Sequence, residues 1–61
     1  MKYLVQVRKE GNGYLTRCST DYWNTAVMNF NCINIRAPYT KRLLEISEDG
    51  VSRVVHRVKG S

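Results

Sequence analysis

The chain has 61 residues, with ten Lys and Arg against five Asp and Glu, and therefore a formal net charge of +5 at pH 7. Hydrophobic residues make up 43% and charged residues 25%, values typical of a folded domain and not of a disordered segment. No apolar run approaches the roughly 18 residues of a membrane span, and no signal-peptide segment follows the first residue. We therefore expect a single small cytoplasmic domain over residues 1–61, without membrane contact, whose basic surface suits a polyanion.

The first predicted element is a β-hairpin. Residues 2–8, KYLVQVR, alternate apolar and polar side chains with the period of a half-buried strand, and the predicted inner face carries Tyr3, Val5 and Val7. The pair Asn12-Gly13 is predicted to form a two-residue turn, after which a second strand covers residues 14–19.

This turn sets a register in which two arginines face each other across the strand pair. It places Val7 opposite Cys18 and Arg8 opposite Arg17. Like charges that face each other destabilise a strand pair, so the register favours an anion between the two arginines.

Residues 21–31, DYWNTAVMNFN, have the spacing of an amphipathic helix. Its apolar stripe, expected to cover the inner face of the sheet, consists of Trp23, Ala26, Val27 and Phe30. Residues 19–21, STD, offer capping side chains, with Asp21 suited to the positive end of the helix dipole. The segment CINIRAPYT that follows is interrupted by Pro38 and is interpreted as a connection with optional edge pairing.

Residues 40–59 predict a second β-hairpin, closed by a three-residue loop over 48–50 with Gly50 in the left-handed conformation. The register pairs Glu45 with Arg53, Leu44 with Val54, and Leu43 with Val55. One face then holds Leu44, Ile46, Val54, His56 and Val58. The other face holds Lys41, Leu43, Glu45, Arg53, Val55, Arg57 and Lys59.

The predicted fold class is α+β, a two-layer β-β-α-β-β arrangement with one helix packed on one face of an antiparallel sheet of about four strands. Residues 60–61 are expected to fray. The strand order stays open.

With the helix on one face, the other face becomes the candidate binding site. Its predicted members are six cations and two leucines: Arg8, Arg17, Lys41, Arg53, Arg57, Lys59, Leu15 and Leu43. The alternative interpretation is that the arginines extend into water and the leucines are scattered surface residues, which is normal for soluble proteins.

Catalysis and metal binding are not expected. His56 lies between two arginines in the sequence, yet no Ser, Asp or Glu has a recognisable motif spacing to it. Cys18 and Cys32 are expected to be reduced thiols, and a zinc site would need His56 without the clustered spacing of such sites. We therefore predict a protein that is not an enzyme and has no cofactor.

The opening MKYLVQVRKEGNGYLTRC resembles the first hairpin of the HicB-type antitoxins. The resemblance covers about 18 residues, and the remainder departs from that family, whose separate DNA-binding tail is missing, so it implies no functional residue. In size, basicity and lack of a catalytic motif the chain is also similar to small accessory proteins of bacteriophages and mobile elements, including anti-CRISPR inhibitors.

Two functional hypotheses follow. In the first, a small basic binding protein contacts nucleic acid or a nucleoprotein through the open sheet face, with affinity that falls as salt rises. In the second, a phage-like inhibitor contacts a host protein through the mixed Arg and Leu face or through the exposed side of the helix, around Tyr22 and Met28. A homodimer that buries the leucines is a third interpretation of the same face.

Overall fold

The computed structural model describes residues 1–61 as one sheet and one helix. In chain order the elements are β1 (Lys2–Lys9), β2 (Leu15–Thr20), α1 (Trp23–Cys32), β3 (Tyr39–Ile46) and β4 (Ser52–Lys59). All strand pairs are antiparallel and the sheet order is β2-β1-β3-β4. The predicted two-layer α+β class is confirmed. The helix is neither long nor apolar enough to cross a membrane.

The core lies between α1 and the two central strands. Val5 of β1 and Leu43 of β3 are opposite each other and fully buried, and Ala26 and Phe30 of the helix pack against them. The predicted helical stripe therefore faces the sheet. Trp23 remains 40% exposed, and its ring meets the Tyr3 ring edge-on with centroids 5.4 Å apart.

The helix begins later than its predicted cap. Its N-cap is Tyr22, which has no side-chain capping bond, and no acidic residue lies in its first turn. The prediction that residues 19–21 cap the helix is therefore wrong, and Asp21 lies one residue before the N-cap. Instead, the Tyr22 backbone N–H donates to Thr20 Oγ1 at 3.1 Å, so the end of β2 orients the chain as it enters the helix.

The far end of the helix is held by a lysine from the sheet. Lys41 Nζ donates to the Phe30 carbonyl at 2.6 Å and to the Ile33 carbonyl at 2.9 Å, and it lies 4.4 Å from the centroid of the Phe30 ring. The last turn of α1 contains no basic residue. Lys41 therefore supplies the positive charge and the donors that a helix C-terminus needs. It is only 9% exposed, so its predicted place on the open face is wrong.

The first hairpin turns earlier than predicted, and its register differs. Gly11, with φ of +89°, occupies the left-handed position, and the Asn12 N–H donates to the Lys9 carbonyl at 2.9 Å. The longer connection and a β-bulge leave Arg17 without a partner on β1, because Val5 pairs with Cys18 and Gln6 with Thr16. The predicted pairing of Arg8 with Arg17 is therefore wrong.

The second hairpin has the predicted loop. Gly50 has a φ of +86°, and the Ser47 N–H donates to the Val51 carbonyl at 3.0 Å to close the loop. The Ser47 hydroxyl also donates to the Asp49 carboxylate, which lowers the pKa of Asp49.

The predicted register of this hairpin matches the structure only near the loop. The pairs Glu45 with Arg53 and Leu44 with Val54 are confirmed. Beyond them a bulge at Val55 moves Leu43 opposite His56, so the predicted pairing of Leu43 with Val55 is wrong.

The end of β4 packs tightly on the connection between α1 and β3. The Gly60 N–H donates to the Tyr39 carbonyl at 2.8 Å. A Cβ atom at Gly60 would lie 2.5 Å from the Arg36 carbonyl carbon and 2.9 Å from the Ala37 nitrogen. The glycine expected to fray is therefore in contact with backbone that has little room to yield.

Replacing Lys41 tests the contact at the helix end. We expect Lys41→Met to lower the free energy of unfolding by about 2 kcal/mol, because two carbonyls lose a charged donor while the apolar stem is retained. Urea denaturation measures the loss, and Lys9→Met, at an exposed position, is the control. Equal effects of both substitutions would contradict a structural role for the Lys41 ammonium.

Gly60→Ala tests the packing at the end of β4. The added methyl group must displace backbone atoms, so we expect a loss of about 1 to 3 kcal/mol in the free energy of unfolding. Gly13→Ala is the matched control, because a Cβ there meets no atom within 4 Å and its φ is not positive. Thermal unfolding of the two variants, followed by circular dichroism, gives the comparison, and a Gly60→Ala protein as stable as the control would contradict the tight contact.

Candidate functional site

The sheet face opposite the helix is built from rows of residues that pair across the strands. One row is apolar and runs from Leu4 through Leu44 to Val54. The next row runs from Thr16 through Gln6 and Arg42 to Arg57, and the last from Arg8 through Thr40 to Lys59. The cations are therefore concentrated at one end of the open face.

At that end the side chains form a site that we call the cationic corner, consisting of Arg8, Tyr14, Arg42, Arg57 and Lys59. A shallow depression of about 270 Å³ is lined by four of these residues, Arg42 excepted, together with Thr40. Four of its five members carry a full positive charge at neutral pH. The strand positions on the open face include no Asp or Glu.

Polar and aromatic contacts hold Arg42 in place within the corner. Its Nε donates to Gln6 Oε1 at 2.8 Å, and Gln6 Nε2 donates to Thr16 Oγ1 at 3.1 Å. The Arg42 guanidinium carbon lies 3.5 Å from the centroid of the Tyr14 ring, and that of Arg8 lies 5.4 Å from the same centroid. One tyrosine ring therefore supports two guanidinium groups.

The corner is not electrically compensated within the protein. Arg42 and Arg57 are direct cross-strand partners, an arrangement that destabilises a sheet. The ion pair in the structure joins Arg53 and Glu45 at 3.1 Å, outside the corner. In addition, Arg8 Nε is buried without a hydrogen-bond partner. The site thus has positive charge and donor capacity that the chain itself does not satisfy.

Three of the residues predicted for the site do meet at the corner, namely Arg8, Arg57 and Lys59. Lys41 and Leu43 are on the helix side and buried, so their assignment to the open face is wrong. The second hairpin contains two adjacent leucines, and the sequence pattern selected the wrong one as inward-facing.

The other predicted members also lie away from the corner. Arg53 is in register with Glu45 and bonded to it, on the side of the sheet that carries the helix. Leu15 is opposite Val7 and 70% exposed, and Arg17 lies beside it at the margin of β2. These two residues line a separate depression.

Sequence reasoning missed Arg42 and Tyr14. Arg42 shares a strand face with Leu44, which was expected to face the core. The predicted register put Cys18 opposite Val7 on the inner face, and strand alternation then turned Tyr14 to that face as well. The signal that was available is the run KRLLEI, in which either leucine satisfies strand periodicity. A second signal is the glycine at position 11, which moves the turn and with it the register of β2.

His56 lies on the helix side, opposite the face that carries Arg57, as its alternation with that arginine predicts. Its ring centroid is 6.0 Å from that of Phe30 and 6.4 Å from that of Trp23. No group of three potential metal-ligating side chains occurs in the structure. The position of His56 supports packing with aromatic neighbours.

Comparisons with protein-family models, with curated proteins and with solved structures give no match for this chain. The function must therefore be inferred from the residues themselves.

Reversing the charge at Arg57 tests whether the corner is internally strained. Arg57→Glu places a carboxylate opposite Arg42, so we expect the free energy of unfolding to rise by about 0.5 to 1 kcal/mol. The mirror control is Arg53→Glu, which places a carboxylate opposite Glu45 and should lower stability by a similar amount. Urea denaturation midpoints show whether each variant is more or less stable than the unsubstituted protein. Destabilisation by both variants would contradict repulsion between Arg42 and Arg57.

Proposed function

We propose that this protein is a small non-catalytic module that binds the phosphate backbone of nucleic acid through the cationic corner. The observation that carries the proposal is the direct pairing of Arg42 with Arg57 on a face without carboxylates. A phosphate placed between two guanidinium groups converts their repulsion into two charge-assisted contacts.

The chemistry of the corner favours phosphate over other anions. Arginine presents a planar fork of donors that matches phosphate oxygens, and three of the four cations are arginines. The contact of Arg42 with Gln6 and Tyr14 limits its rotamer freedom before any ligand arrives. Less side-chain entropy is then lost on binding.

The shape of the site favours binding without sequence preference. The helix lies on the opposite face of the sheet, so the corner presents no helix that could enter a DNA major groove. Contacts from a flat sheet to phosphates fix orientation and carry no direct information about base sequence. Tyr14 supports the arginines and is half-buried, so base stacking on its ring is not part of the proposal.

Salt dependence tests this proposal. We expect anisotropy titrations between about 50 and 200 mM salt to give a log-log slope of about −3.6 for labelled random-sequence duplex DNA and about −2.8 for single-stranded RNA, as four phosphate contacts predict. Arg57→Gln and Lys59→Gln should each reduce the slope by about one. Arg53→Gln removes the same charge outside the corner and is the matched control.

Two results would contradict the proposal. One is no binding at the lowest salt concentration, and the other is a loss of affinity with Arg53→Gln as large as with Arg57→Gln. Arg57→Glu adds an internal check on folding, because it should weaken binding while the protein becomes more stable. Light scattering on the same samples gives the mass of the binding species and tests the homodimer hypothesis.

The alternative function, contact with a host protein, loses one of its expected residues because Leu43 is buried. Leu15 and Arg17 remain exposed, at the margin of β2. Neither residue lines the depression of the cationic corner.

A further inference from the structure

Two depressions adjoin at the margin of β2, on the side of the sheet that carries the helix. They have volumes of about 240 and 330 Å³ and share three lining residues, Val7, Arg17 and Tyr39. The smaller one includes Leu15, and the larger one includes residues 33–36 of the connection after the helix. We call the combined feature the margin groove.

The groove has an apolar lining that the fold leaves accessible. Leu15 is 70% and Tyr39 is 41% exposed, although both are large apolar or aromatic side chains. Ile33 and Ile35 contribute to the same surface from the connection after α1. Contiguous exposed apolar surface in a concave site is typical of places where a partner docks.

Cations lie beside this lining without acidic partners. Arg17 and Arg36 are exposed and take part in no ion pair, and neither depression is lined by Asp or Glu. Arg17 is the bulged residue of β2, so its side chain is not committed to the regular alternation of that strand. The groove therefore combines an apolar lining with positive charge.

We propose that the margin groove binds an extended acidic peptide segment of another protein, with one or two large apolar side chains in the depressions and carboxylates on Arg17 and Arg36. Charge complementarity supports an acidic segment. The geometry supports a peptide because two adjoining depressions suit successive side chains of an extended chain. One depression, of about 240 Å³, is below the 300 to 1,000 Å³ typical of sites that enclose a small molecule, and the other, of about 330 Å³, is at the lower end of that range.

This proposal is independent of nucleic-acid binding. The groove lies on the helix side of the sheet, and the cationic corner lies on the other side. Arg8 lines both the corner depression and the smaller depression of the groove. Arg57 and Lys59 do not line the groove, and Arg17 and Leu15 do not line the corner depression. Substitutions at these four unshared residues therefore serve as controls between the two sites.

The experiment is selection from a phage-displayed library of random peptides on the immobilised full chain. We expect enrichment of peptides in which acidic residues flank a large apolar residue. Synthetic copies of the enriched peptides should lose about tenfold or more in affinity for a protein with Arg17→Ser and Arg36→Ser, and a similar factor for Leu15→Ser, because both kinds of contact are required.

Two controls test whether a loss of peptide affinity comes from the groove itself. Leu15→Ser changes an exposed side chain, so its folding should be intact by circular dichroism, and Arg57→Ser should leave peptide affinity within about twofold. Two results would overturn the proposal: no enrichment of acidic and apolar peptides, or an affinity of the selected peptides for the Arg17 and Leu15 variants equal to their affinity for the unsubstituted protein.

Discussion

The ammonium of Lys41 connects the two layers of this fold. It reaches from β3 to two carbonyls at the end of α1 and lies close to the ring of Phe30. A helix of ten residues is marginal on its own, so its position depends on contacts with the sheet. With one end oriented by Thr20 and the other held by Lys41, the helix is fixed over the central strands. The opposite sheet face is left uncovered, and this is why the chain has an open face at all.

The sequence predicts where the strands and the helix lie along the chain better than it predicts which residues of each strand face the helix. Alternation in β1, helical spacing from Trp23 to Phe30 and the loop at Gly50 all have local causes, and each corresponds to a feature of the structure. Register has a non-local cause. A turn at Gly11 in place of Asn12-Gly13 and two bulged residues shift the pairing, and nothing in local periodicity marks a bulge.

The face of the sheet that Lys41 occupies was also mispredicted, for a chemical reason. A lysine in a strand is expected to face water, because burying an unpaired ammonium is costly. Here the ammonium donates to the carbonyls of Phe30 and Ile33 at the end of the helix, a contact that strand periodicity alone does not reveal. The adjacent Leu43 is then inward-facing and Leu44 outward-facing. One misassigned face accounts for the error at Lys41 and Leu43 and for the omission of Arg42.

The bulge in β4 explains why two arginines meet at one corner. Val54 is on the open face, so strict alternation would turn Arg57 toward the helix, yet the extra residue at Val55 returns Arg57 to the open face beside Arg42. The extra residue at Arg17 shifts the alternation of β2 in the same way, and there it brings Thr16 into the row of Gln6 while Cys18 faces the helix. Bulges redirect side chains at functional edges of sheets. In this sheet the bulge in β4 produces a repulsive pair where a regular strand would have separated the charges, and the phosphate contact that we propose would turn this repulsion into attraction.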